Sequence, residues 1–86
     1  MYVIRYVKQV TDIDIPNLPK SAHALIKRAI DTRLVAAPMD YGKPLRRNRS
    51  GHRRLRVSDY RIIYRIDEAA LTVYIVTIQH RKEVYD

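Results

Sequence analysis

Basic side chains are concentrated in one stretch of this chain. Between Lys43 and Arg65 stand nine Lys and Arg residues and a single acid, Asp59, while the rest of the chain carries eight residues of each sign. The stretch therefore holds the whole net charge of +8. Cations at this density attract phosphate through counterion release and long-range steering. The pattern indicates a surface that binds a polyanion, without saying which polyanion.

Metal chemistry is poorly supported by the remaining polar residues. His23, His52 and His80 stand far apart, no carboxylate lies at ligand spacing from them, and the chain has no Cys. A nucleophile elbow and a phosphate-cradling glycine loop are also absent from the sequence. We therefore expect neither a metal centre nor a cofactor.

Metal-free RNA cleavage makes demands that these residues can meet. A base takes the proton of the ribose 2′-OH, cations stabilise the charge on the phosphate, and an acid protonates the departing 5′-oxygen. Arginines on a sheet would supply the cations, and the segment from His80 to Tyr85 would add an imidazole, a guanidinium and a phenol able to stack on a base. A solvated or partner-binding face, and simple packing of His80 and Tyr85, are the alternatives.

Two N-terminal elements precede the basic stretch. Residues 2–7 are β-branched and aromatic on both sides, which predicts a strand in the interior of a sheet. Thr11 and Asp14 have capping-box spacing, but the prolines that follow allow only a short helical turn. From about residue 20 to 35, apolar residues recur at helical spacing, which predicts an amphipathic helix ended by Pro38.

Three β-rich segments follow an irregular linker at 39–51. They are Arg53–Val57, Tyr60–Ile66 and Leu71–Gln79, joined by two short turns, and they predict an antiparallel meander.

Alternation along these strands predicts where the charge points. Side chains two residues apart share a face, so one face carries Arg53 together with the apolar residues Leu55, Val57, Ile62, Tyr64 and Ile66. If the helix covers that face, the opposite face gathers Arg54, Arg56, Arg61 and Arg65. Tyr74 is interpreted, like Tyr64, as a core residue.

Length and composition limit the number of domains and the cellular compartment to be expected. With 86 residues, we expect one small domain spanning 1–86. The absence of Cys gives secretion no support, and Met1 to Val10 lack the apolar run of a signal peptide. No segment reaches the length of a membrane span, so the cytoplasm is the expected compartment.

Three motifs carry a resemblance to a known family. Gly42–Leu45, Arg54–Ile66 and His80–Tyr85 together resemble the RelE/ParE superfamily of toxins from type II toxin–antitoxin systems. The resemblance implies an α+β fold: a small RelE-like domain with an N-terminal strand, two helices of which the first is short, and a three-stranded antiparallel meander in a twisted sheet.

The RelE branch looks nearer than the ParE branch, because RelE-like chains tend to end like Glu83–Tyr85. The resemblance then implies a metal-independent endoribonuclease that cleaves mRNA in the ribosomal A site by 2′-OH attack and so inhibits translation. It assigns phosphate stabilisation to Arg61, phosphate or leaving-group stabilisation to Arg81, and stacking on the cleaved nucleotide to Tyr85.

Two positions depart from the RelE pattern. His52 and Arg54 stand where RelE has catalytic lysines. Arginine stays protonated at working pH, whereas histidine, with a usual pKa near 6.5, can accept a proton. We therefore expect His52 or His80 to be the base and Arg54 to bind phosphate. The other basic residues expected to bind RNA are Lys43, Arg46, Arg47, Arg49, Arg53, Arg56 and Arg65.

The family also implies partners. An acidic, partly disordered antitoxin would wrap the basic domain, and mRNA and the ribosome would be its targets. The alternatives are a ParE-like toxin that inhibits DNA gyrase by binding, and a catalytically silent member that keeps only antitoxin binding or operator regulation.

Overall fold

The computed structural model describes residues 1–46 and 51–83. A strand, a helical region and a four-stranded antiparallel run follow one another along the chain. The strands are β1 (Val3–Tyr6), β2 (Lys43–Pro44), β3 (His52–Val57), β4 (Tyr60–Asp67) and β5 (Thr72–His80), and the helix α1 is Lys20–Ala29.

The five strands form one sheet in the order β1-β5-β4-β3-β2. β1 runs parallel to β5, and every other neighbouring pair is antiparallel. The predicted α+β fold and the predicted meander are confirmed. The sequence did not indicate β2, a two-residue strand that pairs Lys43 with Arg54.

The predicted interior position of the first strand is wrong, because β1 forms an edge of the sheet. Only one of its sides is covered: Ile4 packs against the core, whereas Val3 is 53% exposed. β-branched composition reports a tendency to form strands, and it does not determine which strand has two neighbours.

The helical region begins with a short turn, Val10–Asp14, closed by a hydrogen bond from the Ile15 N–H to the Val10 carbonyl at 2.8 Å. The expected capping box is not formed. Instead the Asp14 carboxylate accepts hydrogen bonds from the Thr77 hydroxyl at 3.1 Å and from the Ile78 N–H at 3.0 Å. It thereby ties this turn to β5 where β1 has ended.

The predicted amphipathic helix is confirmed as α1 and its continuation, a π-helical turn at Ile30–Leu34. It packs on one face of the sheet, and the predicted apolar face is confirmed as the core face. The hydrophobic core between the helical region and the sheet is made of Val10, Ile26, Ala29, Ile30, Leu34, Leu55, Val57, Ile62, Tyr64, Val73, Ile75 and Ile78.

A β-bulge interrupts the pairing of β4 with β5. Ile63 pairs with Thr77 but Tyr64 pairs with Ile75, so Val76 is an extra residue. An extra residue reverses which residues of a strand face the core. Val73 and Ile75 therefore face the core before the bulge, and Ile78 does so after it.

The segment after Pro38 is fixed to the core by two polar side chains. The buried Tyr64 hydroxyl shares its proton between the carbonyls of Pro38 at 2.8 Å and Tyr41 at 2.6 Å. Arg53 donates to the carbonyls of Met39 at 2.9 Å and Gly42 at 3.1 Å. These bonds satisfy backbone groups that β-sheet pairing leaves open.

In the part of the chain that the structure describes, no helix is long and apolar enough to cross a membrane.

Gly42 provides a stability test of this packing. Its φ is +72°, and an added Cβ would lie 2.5 Å from both the Arg54 carbonyl oxygen and the Tyr64 hydroxyl. We expect Gly42→Ala to lower the free energy of unfolding by about 3 kcal/mol or more, from left-handed strain plus overpacking.

Gly51→Ala is the matched control, because its φ is +86° but its Cβ would meet no described atom within 4 Å. It should cost only about 1–2 kcal/mol of strain in the same urea titration. Equal losses for the two variants would contradict the packing at Gly42.

Candidate nucleic-acid interface

The strand register gathers cations on the sheet face opposite α1. Arg56 pairs with Arg61, and Arg54 pairs with Lys43 on one side and Ile63 on the other. Residues in register project from the same face. We call this the arginine face, and its cations are Arg5, Lys43, Arg54, Arg56, Arg61 and Arg65.

A groove of about 520 Å³ lies at one end of the arginine face. Its walls are residues 40–43 on one side and Arg54, Leu55, Arg56 and Arg61 on the other. Three guanidinium groups and the Lys43 ammonium therefore line an open channel that an anionic chain can enter.

Arg81 reaches the same end of the sheet through Asp59. Its N–H donates to the Asp59 carbonyl at 2.7 Å, and its guanidinium lies 3.7 Å from the Asp59 carboxylate. Asp59 belongs to the turn that joins Arg56 to Arg61 across the hairpin. Both partners of this ion pair are exposed, so it contributes little stability, but it positions Arg81 near Arg61.

His80 projects from the opposite face. It pairs with Tyr60, whose ring it meets edge-on at 5.1 Å, and it faces Ile13 and Asp14 of the first helical turn. Its Nδ1 accepts a hydrogen bond from the Lys82 N–H at 3.1 Å, which places the proton of the neutral ring on Nε2. The structure does not bring His80 together with the arginines. In the neutral ring, the Nδ1 lone pair already accepts the hydrogen bond from Lys82.

His52 lies on the arginine face, in register with Arg65. It stands two positions beyond Arg54 on β3, so it is farther from Arg61 than Arg54 is. Its Nδ1 is buried and has no hydrogen-bond partner among the described residues. No hydrogen bond from the described part of the chain therefore fixes its tautomer, and either ring nitrogen can carry the lone pair.

Arg53 was expected to bind RNA, but the structure turns it away from the arginine face. It pairs with Tyr64, on the core face, and its guanidinium is held by the carbonyls of Met39 and Gly42. Its charge helps to shape the groove wall at residues 40–43 rather than meeting a ligand there.

The other predicted RNA-binding residues divide into two groups. Lys43, Arg46 and Arg54 line an open depression beside β2. Arg56 and Arg65 are exposed on the arginine face. Arg47 and Arg49, together with the predicted stacking residue Tyr85, lie outside the described residues.

Tyr74 was interpreted as a core residue, and this is wrong. It pairs with Arg65 and Arg5, so it projects onto the arginine face, with the Arg65 guanidinium carbon 4.0 Å from its ring centroid. The bulge at Val76 is the reason, because it puts Tyr74 and His80 on opposite faces although they are six residues apart.

This geometry defines the protein as a small α+β domain with a cationic face on its sheet. Residues 5–85 match the family model described as the ParE toxin of type II toxin–antitoxin systems, parDE. The chain belongs to the RelE/ParE superfamily of toxins of these systems. It is 33% identical over 84 residues to the toxin RelG of Mycobacterium tuberculosis, covering 98% of this chain and 95% of RelG.

Solved structures support the same relationship. The toxin–antitoxin complex RelBE2 of M. tuberculosis contains a chain with a TM-score of 0.87 and 34% identity, covering 93% of this chain and 98% of that one. The isolated RelE toxin of E. coli has a TM-score of 0.78 at 12% identity, covering 93% of this chain and 84% of that one. The second likeness concerns the fold alone.

Tyr64 links groove geometry to stability at high pH. Burial raises its pKa from the usual 10.0, and a hydrogen bond from Arg53 opposes part of that rise. Because the folded state favours the neutral phenol, Tyr64 adds stability below pH 10 that is lost as the pH rises through its folded-state pKa.

We expect Tyr64→Phe to lower the unfolding free energy at neutral pH by about 1–3 kcal/mol, since two carbonyls and Arg53 lose their partner. The decline in stability above pH 10 should also become shallower. Urea titrations across the alkaline range measure both effects. Tyr41→Phe, at an exposed tyrosine of the same segment, should reproduce neither; a Tyr64→Phe profile that matches it would refute this role.

Proposed function

We propose that this toxin is a metal-independent endoribonuclease that cleaves mRNA in the ribosomal A site. One observation carries the proposal: Arg56 and Arg61 pair across the hairpin, and Arg81 is attached to the turn between them. Three guanidinium groups thus gather at one end of the sheet. This is the arrangement that a phosphate accumulating negative charge requires.

In the proposed reaction, the ribose 2′-oxygen attacks the adjacent phosphorus, a cyclic phosphate forms, and the bond to the 5′-oxygen of the next nucleotide breaks. Arg61 would hold the non-bridging phosphate oxygens. Arg81 would stabilise the departing 5′-oxygen while that oxygen takes a proton from water, and Arg54 would bind phosphate from the groove. Preorganised cations of this kind lower the barrier without a metal.

We propose that the base is His52 or His80. His52 lies on the arginine face, but it is in register with Arg65, four residues along β4 from Arg61. His80 directly precedes Arg81, but it projects from the opposite face, and its Nδ1 receives the Lys82 N–H. Tyr85 follows the turn Arg81–Glu83 by two residues, so stacking on the cleaved nucleotide remains part of the proposal.

An acidic antitoxin is the proposed partner. The RelBE2 relative and E. coli RelE were solved as toxin–antitoxin complexes. A net charge of +8 suits an acidic partner, and complementary charge would speed and direct their association. The proposed site of action, the translating ribosome, would place the protein in the cytoplasm.

Gyrase inhibition is the second candidate function, because the matching family model carries the ParE description. The M. tuberculosis relatives named RelG and RelBE2 favour the RelE branch. A ParE-like toxin would block supercoiling while leaving messages intact.

The arginine cluster is tested in a purified translation system, with primer extension to map breaks in a defined message. Arg61→Ala and Arg81→Ala should each slow cleavage roughly 10²- to 10³-fold, because each removes a donor to the developing charge. Arg33→Ala removes an equal charge from the helical region and should cleave normally. An uncut message together with inhibition in a gyrase supercoiling assay would favour the second candidate.

The two histidines are separated by the pH dependence of cleavage. Loss of the base, whether by His52→Ala or by His80→Ala, should slow the reaction roughly 10²-fold or more and remove the acid limb of the pH–rate profile. The variant of the other histidine should keep that limb. An acid limb that survives in both variants and in the double variant would exclude both histidines as the base.

A further inference from the structure

An aromatic residue lies between two cations at the end of the arginine face remote from Arg61. Tyr74 on β5 is in register with Arg5 on β1 and with Arg65 on β4. The Arg65 guanidinium carbon stands 4.0 Å from the centroid of the Tyr74 ring, which is cation–π distance. Arg5 and Arg65 are both exposed, and Tyr74 is half-buried between them.

The row continues onto a fourth strand, because His52 on β3 pairs with Arg65. At about 4.8 Å between strands, these four side chains form a row about 14 Å long across the sheet. The adjoining turn carries two acids, and both accept hydrogen bonds: Asp67 from the Ala70 N–H and Glu68 from the Tyr2 hydroxyl.

A row of this composition has the chemistry that binds single-stranded nucleic acid. Aromatic rings and guanidinium planes stack on bases, and neighbouring cations meet the phosphates. A double-stranded ligand would keep its bases stacked inside the helix, out of reach of such a ring. An acidic peptide could meet the arginines but would bring no base to stack on the Tyr74–Arg65 pair.

We propose that Tyr74 and Arg65 form a nucleotide-binding site for single-stranded RNA, which holds the message at a nucleotide other than the one cleaved. Arg65 lies four residues from Arg61 along β4, about 13 Å between their Cα atoms at 3.3 Å per residue, which spaces the two for different phosphates of an extended strand. That the ligand is a message rests on the proposed function. The site would extend the path of the message from the groove along β4.

The stacking partner can be observed directly, since the chain has no tryptophan. Purified Tyr74→Trp toxin is titrated with a 2′-O-methyl oligonucleotide of about ten nucleotides, which fits known single-strand site sizes and cannot be cleaved by 2′-OH attack. Stacking should quench the emission of the introduced indole. Leu25→Trp, on the exposed surface of α1, is the control and should keep its emission.

Affinity variants separate stacking from charge. Tyr74→Leu should bind the oligonucleotide about tenfold more weakly, while Tyr74→Phe should stay within about twofold of wild type, because the ring and not the hydroxyl stacks. Arg65→Ala should reduce the slope of log affinity against log salt by about 0.7, the value for one phosphate contact on a single strand. Arg33→Ala loses the same charge on the helical side and should leave that slope unchanged.

Two results would overturn the site. In the first, anisotropy reports a bound oligonucleotide but the emission of the Tyr74→Trp toxin does not change. Tyr74→Leu then lowers only the melting temperature, as expected of a cross-strand pair with a purely structural role. The other is quenching by an acidic antitoxin and not by the oligonucleotide.

The same proteins separate this proposal from the proposed function. Quenching in the Tyr74→Trp toxin with no cleavage by wild-type toxin would support the nucleotide-binding site and refute the endoribonuclease proposal. Normal cleavage by wild type and by Tyr74→Leu, with no quenching in the Tyr74→Trp toxin, would refute the site and support the endoribonuclease proposal.

Discussion

The pairing register of β3, β4 and β5 is the constraint on which the other features depend. A slip of one residue between β3 and β4 would move Arg54 and Arg56 to the core face and Leu55 to solvent, which burial of the apolar residues forbids. The same apolar contacts that stabilise the domain therefore hold the arginines on one face. Hydrophobic burial on the opposite face fixes the register, although the arginines repel one another.

The second support of the site is polar and lies beneath it. Tyr64 and Arg53 bind carbonyls of the segment that follows Pro38, and this segment forms one wall of the groove. Gly42 passes close enough to Tyr64 that no larger residue fits. Arg53, a cation of the basic stretch, thus shapes the groove that Lys43, Arg54 and Arg56 line.

The helix, the meander and the arginine face could be predicted because each depends on periodicity within one element. β3 and β4 contain an uninterrupted alternation, and Leu55 and Ile62 are buried as that alternation requires. The role of Arg53 could not be predicted, although its face could, since its carbonyl partners belong to a loop whose path has no periodic signal.

The faces of Tyr74 and His80 were beyond prediction for a different reason. Residues 72–78 are almost continuously apolar, so nothing in the sequence marks Val76 as the extra residue. This bulge places Tyr74 among the arginines and turns His80 toward the helical side. It therefore separates one candidate base from the phosphate-binding groups and adds an aromatic ring that composition alone assigned to the core.

In the proposed reaction the arginines assist attack by the message's own 2′-hydroxyl. The most direct test is a ribosome-bound message carrying a single 2′-deoxy nucleotide at the cleaved position of the A-site codon, compared with the all-ribose message. We expect a break in the all-ribose message and none in the substituted one. Equal cleavage of both messages would contradict it, because the nucleophile would then have to come from elsewhere.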